Sequence, residues 1–84
     1  MNFIFSNHAL EQMKRREISR EMVLLAINQP HQVVGDVNDM IIVIYQLLIK
    51  ENGQSFLLRV FVNRDKQPNM IGTVYKTTKI TKYL

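Results

Sequence analysis

Pro30 divides the chain into two stretches of different period, and that division decides most of what it can fold into. Before Pro30 the apolar residues recur at helical spacing; after it they alternate or run together as they do in strands. Proline lacks an amide N–H and its ring clashes with a preceding helical turn, so a helix reaching Asn28 must stop there. Ser6 is an N-cap for a helix from Asn7 to Arg16, whose core stripe is Ala9, Leu10 and Met13. At about 100° per residue, His8, Glu11, Gln12 and Arg15 fall on the polar side, while Arg16 flanks the stripe beside Ala9. After a turn at Glu17 and Ile18, Ser19 caps a second helix from Arg20 to Asn28.

Beyond Pro30 four strands are expected: a short one near His31 to Val37, a long one from Met40 to Lys50, a third from Ser55 to Asn63 and a fourth from Met70 to Thr78. Asn52-Gly53 is a two-residue hairpin signal, and Arg64 to Asn69 is a second turn, so the last three strands form an antiparallel meander. The expected fold is α+β: two N-terminal helices packed on one face of a four-stranded, mainly antiparallel sheet, as a single domain over residues 1–84. The other sheet face is left partly open.

Composition excludes several classes. With 84 residues there is room for one modest core, and 46% hydrophobic with 21% charged residues is ordinary globular material. Cysteine is absent, which removes disulfides, thiolate metal sites and cysteine nucleophiles. His31 follows Pro30 in a loop with no ligand at a metal spacing, and Asp36 and Asp39 read as turn residues, so neither a metal nor a cofactor is expected. The apolar run from Met40 to Ile49 is shorter than a membrane helix, and Met1 to Phe5 lacks the pattern of a signal peptide. No membrane association and a cytoplasmic location are expected.

The net charge of +4 is concentrated in two places. Lys14, Arg15, Arg16 and Arg20 surround Glu17, and Arg59, Arg64, Lys66, Lys76, Lys79 and Lys82 are accompanied by Asp65 alone. Brought together they would attract an anionic polymer or an acidic protein; kept apart they are solvated faces. In the strand from Met70, alternation puts Thr73, Tyr75, Thr77 and Lys79 on one side and Val74, Lys76 and Thr78 on the other. Arg59 lies between the apolar Leu57 and Phe61, a place for either a cleft-lining guanidinium or one that snorkels beside an apolar patch. Tyr45 and Gln46 read as packing within the long apolar strand.

Two segments carry a family resemblance. Ser6-Asn7-His8-Ala9-Leu10-Glu11-Gln12-Met13-Lys14-Arg15-Arg16-Glu17-Ile18-Ser19 resembles the opening of a family of short prokaryotic proteins whose usual pattern is a small polar residue, His-Ala-Leu-Glu-Arg-Met, a charged pair ending in Arg, and Gly-Ile-Ser. Val60-Phe61-Val62, followed by Ile71-Gly72-Thr73-Val74-Tyr75-Lys76-Thr77-Thr78-Lys79-Ile80-Thr81-Lys82-Tyr83, resembles its second signature. That family bears a domain-of-unknown-function label and is grouped with RelE-like, ParE-like and BrnT-like toxins, within a wider fold group of metal-independent ribonucleases. The chain departs from the pattern at Gln12, where Arg is frequent, at Glu17, where Gly is usual, and at Lys76, often Arg.

The resemblance implies a RelE-like fold and RNA transesterification by the toxin half of a toxin–antitoxin pair. It marks His8, Ala9 and Arg16 in the first helix and Tyr75, Thr77, Lys79 and Tyr83 at the end. His8 is the expected proton acceptor or donor, since imidazole can play either part. Arg16 suits a planar phosphate clamp, or else an ion pair with Glu17, Glu21 or Asp65. Lys79 and Tyr83 complete the expected catalytic set, Tyr83 through its phenol, unless its ring merely packs on the sheet. Arg15, Arg59, Tyr75 and Thr77 are the expected phosphate contacts. RNA and an acidic antitoxin are the implied partners. A non-enzymatic ParE-like inhibitor, a nucleic-acid or protein-binding module, and a degenerate member kept for complex formation stay open beside the endoribonuclease.

Overall fold

A computed structural model describes residues 2–84 and shows an α+β domain. In chain order its elements are β1 (Phe3–Phe5), α1 (Asn7–Arg16), α2 (Arg20–Asn28), β2 (Gln32–Asp36), β3 (Asp39–Glu51), β4 (Gln54–Asn63), β5 (Asn69–Thr77) and α3 (Ile80–Tyr83). Both helix starts are as the sequence demands. The Ser6 hydroxyl accepts the Ala9 amide at 3.0 Å and the Ser19 hydroxyl accepts that of Met22 at 3.1 Å. Each bond satisfies one of the orphan N–H groups of a first turn. Glu17 ends α1 in the left-handed region, at φ 56° and ψ 48°, the conformation that glycine adopts without a Cβ penalty.

The sheet has five strands in the order β1-β5-β4-β3-β2. The expected count of four is corrected by β1, which pairs in parallel with β5 through Phe3–Asn69, Ile4–Met70 and Phe5–Ile71. Three apolar residues are too few to display a period. Their strand forms because the β5 edge presents backbone groups that need partners. The remaining pairs are antiparallel, and Asn52 (φ 51°) and Gly53 (φ 81°) make the left-handed turn that joins β3 to β4.

After β1, α1 takes over the β5 edge. The Ser6 amide and hydroxyl donate to the Ile71 and Gly72 carbonyls, and the Val74 amide donates to Gln12 Oε1 at 2.9 Å. Gln12 therefore caps a strand edge and is not part of a solvent-facing polar side. Ala9 and Met13 on α1, Val23, Ala26 and Ile27 on α2, and Ile18 between them pack on Leu47, Leu58, Val60, Val62, Ile71 and Val74 to form the core. The last strand ends at Thr77, one residue before the expected Thr78, and Ile80–Tyr83 coil into α3, a third helix beyond the two expected.

Candidate functional site

On the sheet face away from the core, register aligns one polar row across four strands. Gln32 pairs with Gln46, Gln46 with Arg59, and Arg59 with Tyr75. The next row is Val34, Ile44, Phe61 and Thr73, and on the other side Leu48 pairs with Leu57 and Leu57 with Thr77. A polar row between largely apolar ones must satisfy itself, because buried donors and acceptors without partners are costly.

It does so around Arg59, only 8% exposed, and Gln46, fully buried. Arg59 Nε donates to Gln46 Oε1 at 2.6 Å, and Nη1 donates to the Tyr75 hydroxyl at 2.5 Å. Gln46 Nε2 donates in turn to Gln32 Oε1 at 2.8 Å and to the Tyr83 carbonyl at 3.1 Å, which fastens α3 to the sheet. The Tyr83 ring stacks on the guanidinium with its centroid 3.9 Å away, and the Phe61 and Tyr75 rings lie at 5.3 and 5.7 Å. These contacts give the cation aromatic faces in place of water.

Among the described residues no carboxylate lies within ion-pair distance of Arg59, and the one ion pair joins Lys76 to Glu51. Arg59 Nη2 has no protein partner among them and retains contact with solvent. Arg59 lines a groove together with Val34, Gly35, Asp36, Val37, Asn38, Ile44, Phe61, Lys82 and Tyr83. A desolvated guanidinium with a free donor edge and no counter-ion is suited to an incoming anion.

The two phenols are set against one another. Burial raises the Tyr75 pKa above the ordinary tyrosine value, partly offset by its bond from Arg59. Hydrogen bonding with Tyr75 holds the Tyr83 phenol below it, assisted by the positive charge of Lys82 and Arg59. One tyrosine thus stays protonated while its neighbour yields its proton more readily.

The chain matches the model of the family described as Domain of unknown function (DUF4258) over residues 5–76. It belongs to that family. No curated protein and no solved structure matches it. The DUF4258 match takes in α1 and the row from Gln32 to Tyr75, and ends before Thr77, Lys79, Tyr83 and α3.

Of the residues singled out from sequence, the DUF4258 fold brings Arg59, Tyr75 and Tyr83 into contact. His8, Arg15 and Arg16 are exposed on α1, and no hydrogen bond or ion pair joins them to that cluster among the described residues. Lys79 is exposed at the start of α3, where its amide donates to the half-buried Thr77 hydroxyl at 3.1 Å. Lys76 lies on the core side of β5 beside the α1–α2 turn, outside the groove.

Gln46 and Gln32 were missed. Gln46 had a signal: a lone amide inside the apolar run of β3 has to find partners if it is buried. His31 is a loop residue, its Nδ1 accepting the Leu48 amide at 3.0 Å. Asp36 and Asp39 hold turn amides as expected, accepting from Asn38 and Ile41.

Proposed function

We propose that this protein is a RelE/BrnT-like endoribonuclease toxin that acts without a metal, with its chemistry centred on the Arg59 groove. The observation that carries the reading is the buried guanidinium, held in plane by Gln46 and Tyr75, presenting a free edge with no carboxylate to neutralise it. In the proposed reaction Arg59 binds the non-bridging oxygens of an RNA phosphate and stabilises the charge that develops there. The Tyr83 phenolate takes the ribose 2′-hydroxyl proton, and the 2′-oxygen bonds to phosphorus. The bond from phosphorus to the 5′-oxygen breaks, and that oxygen takes a proton from Lys82 on the groove wall. The products are a 2′,3′-cyclic phosphate and a 5′-hydroxyl. Arg15, Arg16 and Lys79 extend the positive field that draws RNA in. An acidic antitoxin segment covering the groove is the proposed resting partner.

Purified protein incubated with RNA in the presence of a chelator should release cyclic-phosphate ends, and Arg59→Ala and Tyr83→Phe should suppress their release. Intact RNA throughout would remove the proposal. A binding module without chemistry is the second reading, favoured because, among the described residues, no hydrogen bond or ion pair joins His8 to the Arg59 cluster. Growth arrest on expression with intact RNA, surviving Tyr83→Phe and lost with Arg59→Ala, would select it.

A further inference from the structure

The groove has more in it than an anion hold. Its floor is the apolar row Val34, Ile44 and Phe61, one wall is α3 with Lys82 and Tyr83, and the other is the end of β2 with the turn that follows it, Gly35 to Asn38. Cations stand at the α3 wall and a single carboxylate, Asp36, at the turn. We infer that this groove is a subsite for a guanine nucleotide, with Arg59 and Lys82 holding its phosphate and Asp36 reading its base.

Resting on the RNA reading above, the inference deepens it by naming the base. Asp36 is half-buried and makes no ion pair among the described residues. Its Oδ1 accepts the Asn38 amide at 2.9 Å, which fixes the carboxylate and leaves Oδ2 without a protein donor among them. An ionised carboxylate only accepts hydrogen bonds, two in parallel when the donors are adjacent. Among the four RNA bases only guanine offers two adjacent donors on its pairing edge, the ring imino group and the exocyclic amine. Adenine and cytosine offer one amino group beside an acceptor, which would face the carboxylate unpaired.

The spacing is that of a nucleotide. Arg59 pairs through Gln46 with Gln32, so Asp36 stands two strands away and four residues along. At about 4.8 Å between strands and about 3.3 Å per residue, their backbones are roughly 16 Å apart. A long Arg side chain and a short Asp one close part of that distance, leaving a gap that phosphate, ribose and purine fill in line. The apolar floor then lies under the base, and Phe61 offers an aromatic surface for stacking.

The test titrates the intact protein with GMP, IMP, AMP, CMP and UMP, following backbone amide shifts in β2, β3 and α3. GMP should bind at least tenfold tighter than AMP, with IMP, which lacks the exocyclic amine, between them. Asp36→Asn keeps an acceptor for the Asn38 amide, and Asp36→Ala removes it; both should level GMP and AMP, whereas Arg59→Lys should weaken all five alike. Equal affinities in the parent protein, or a guanine preference that survives both Asp36 variants, overturns the inference. RNA cleavage measured on the same samples separates the two readings. Cleavage without base preference overturns the subsite and leaves the nuclease standing, while guanine preference without cleavage supports the subsite and removes the nuclease.

Discussion

Two regions of this molecule carry cations, and they hold them in opposite ways. On α1, Lys14, Arg15 and Arg16 follow one another, all exposed, with no ion pair among the described residues. On the far sheet face one guanidinium, Arg59, is buried and fixed by Gln46, Tyr75 and the Tyr83 ring. Counting charge along the chain favours α1. Physical chemistry favours Arg59, because a hydrated charge on a flexible stem attracts an anion without orienting it. A largely buried guanidinium held in one plane has already lost most of its water and its freedom, so it contributes orientation as well as attraction.

The sharpest way to break this contrast is to substitute each region in turn. Arg59→Ala should lower RNA cleavage by roughly a hundredfold or more, the scale of losing a fixed charge donor to a transition state. Arg59→Lys should recover little, since an ammonium lacks the planar fork. His8→Ala and Arg16→Ala should each change cleavage by no more than several-fold, and the effect of Arg16→Ala should vanish at high salt. A loss with His8→Ala as large as that with Arg59→Ala would move the chemistry to α1.

Next in size is a stability effect confined to the Arg59 side. Gln46→Leu keeps the bulk but strands Arg59 Nε, Gln32 Oε1 and the Tyr83 carbonyl. Orphaning such groups should cost about 2–3 kcal/mol in urea unfolding. Gln12→Ala, which strands only the Val74 amide at the strand edge, should cost about 1 kcal/mol. Equal losses would mean that the polar row is no more tightly built than the edge.

The two phenols make the Arg59 side sensitive to pH. A base works only when deprotonated, so the proposed cleavage should rise with pH as the Tyr83 phenolate forms, and level off below the usual tyrosine range because hydrogen bonding with Tyr75 depresses the Tyr83 value. Tyr75→Phe removes that bond, so the limb should move to higher pH. The rate near neutrality should fall about tenfold for each unit of displacement. The pH profile of kcat/KM and the absorbance of tyrosinate should shift together; a rate limb that ignores Tyr75→Phe would exclude Tyr83 as the base.

Much of the scaffold was legible because its signals are local. Ser6 and Ser19 as caps, Pro30 as a stop and Asn52-Gly53 as a hairpin act through neighbours in sequence. What was hidden depends on partners far along the chain. β1 exists only because β5, some sixty residues later, offers an edge. Gln46 acquires its role from register with Arg59 and Gln32, and Tyr83 from a tail that coils back over the sheet. Alternation put Thr73, Tyr75 and Thr77 on one side of their strand, but alternation within one strand is silent about which residue of the next lies opposite; only register makes that side the one of Arg59.

The smallest expected effect concerns the end of α1 and separates conformation from charge there. Glu17 adopts a left-handed backbone that costs any residue with a Cβ, so Glu17→Gly should stabilise the protein by about 0.5–1 kcal/mol despite the greater freedom glycine has when unfolded. Glu17→Gln keeps the Cβ and should leave stability within about 0.5 kcal/mol of the parent. Both substitutions remove the carboxylate next to Lys14, Arg15 and Arg16. If α1 only draws RNA toward the groove, both should raise affinity slightly and equally at low salt, with no change in cleavage of bound RNA, measured in single turnover. A change in single-turnover rate with either variant would show that α1 touches the reacting phosphate, and the contrast between the two regions would fail.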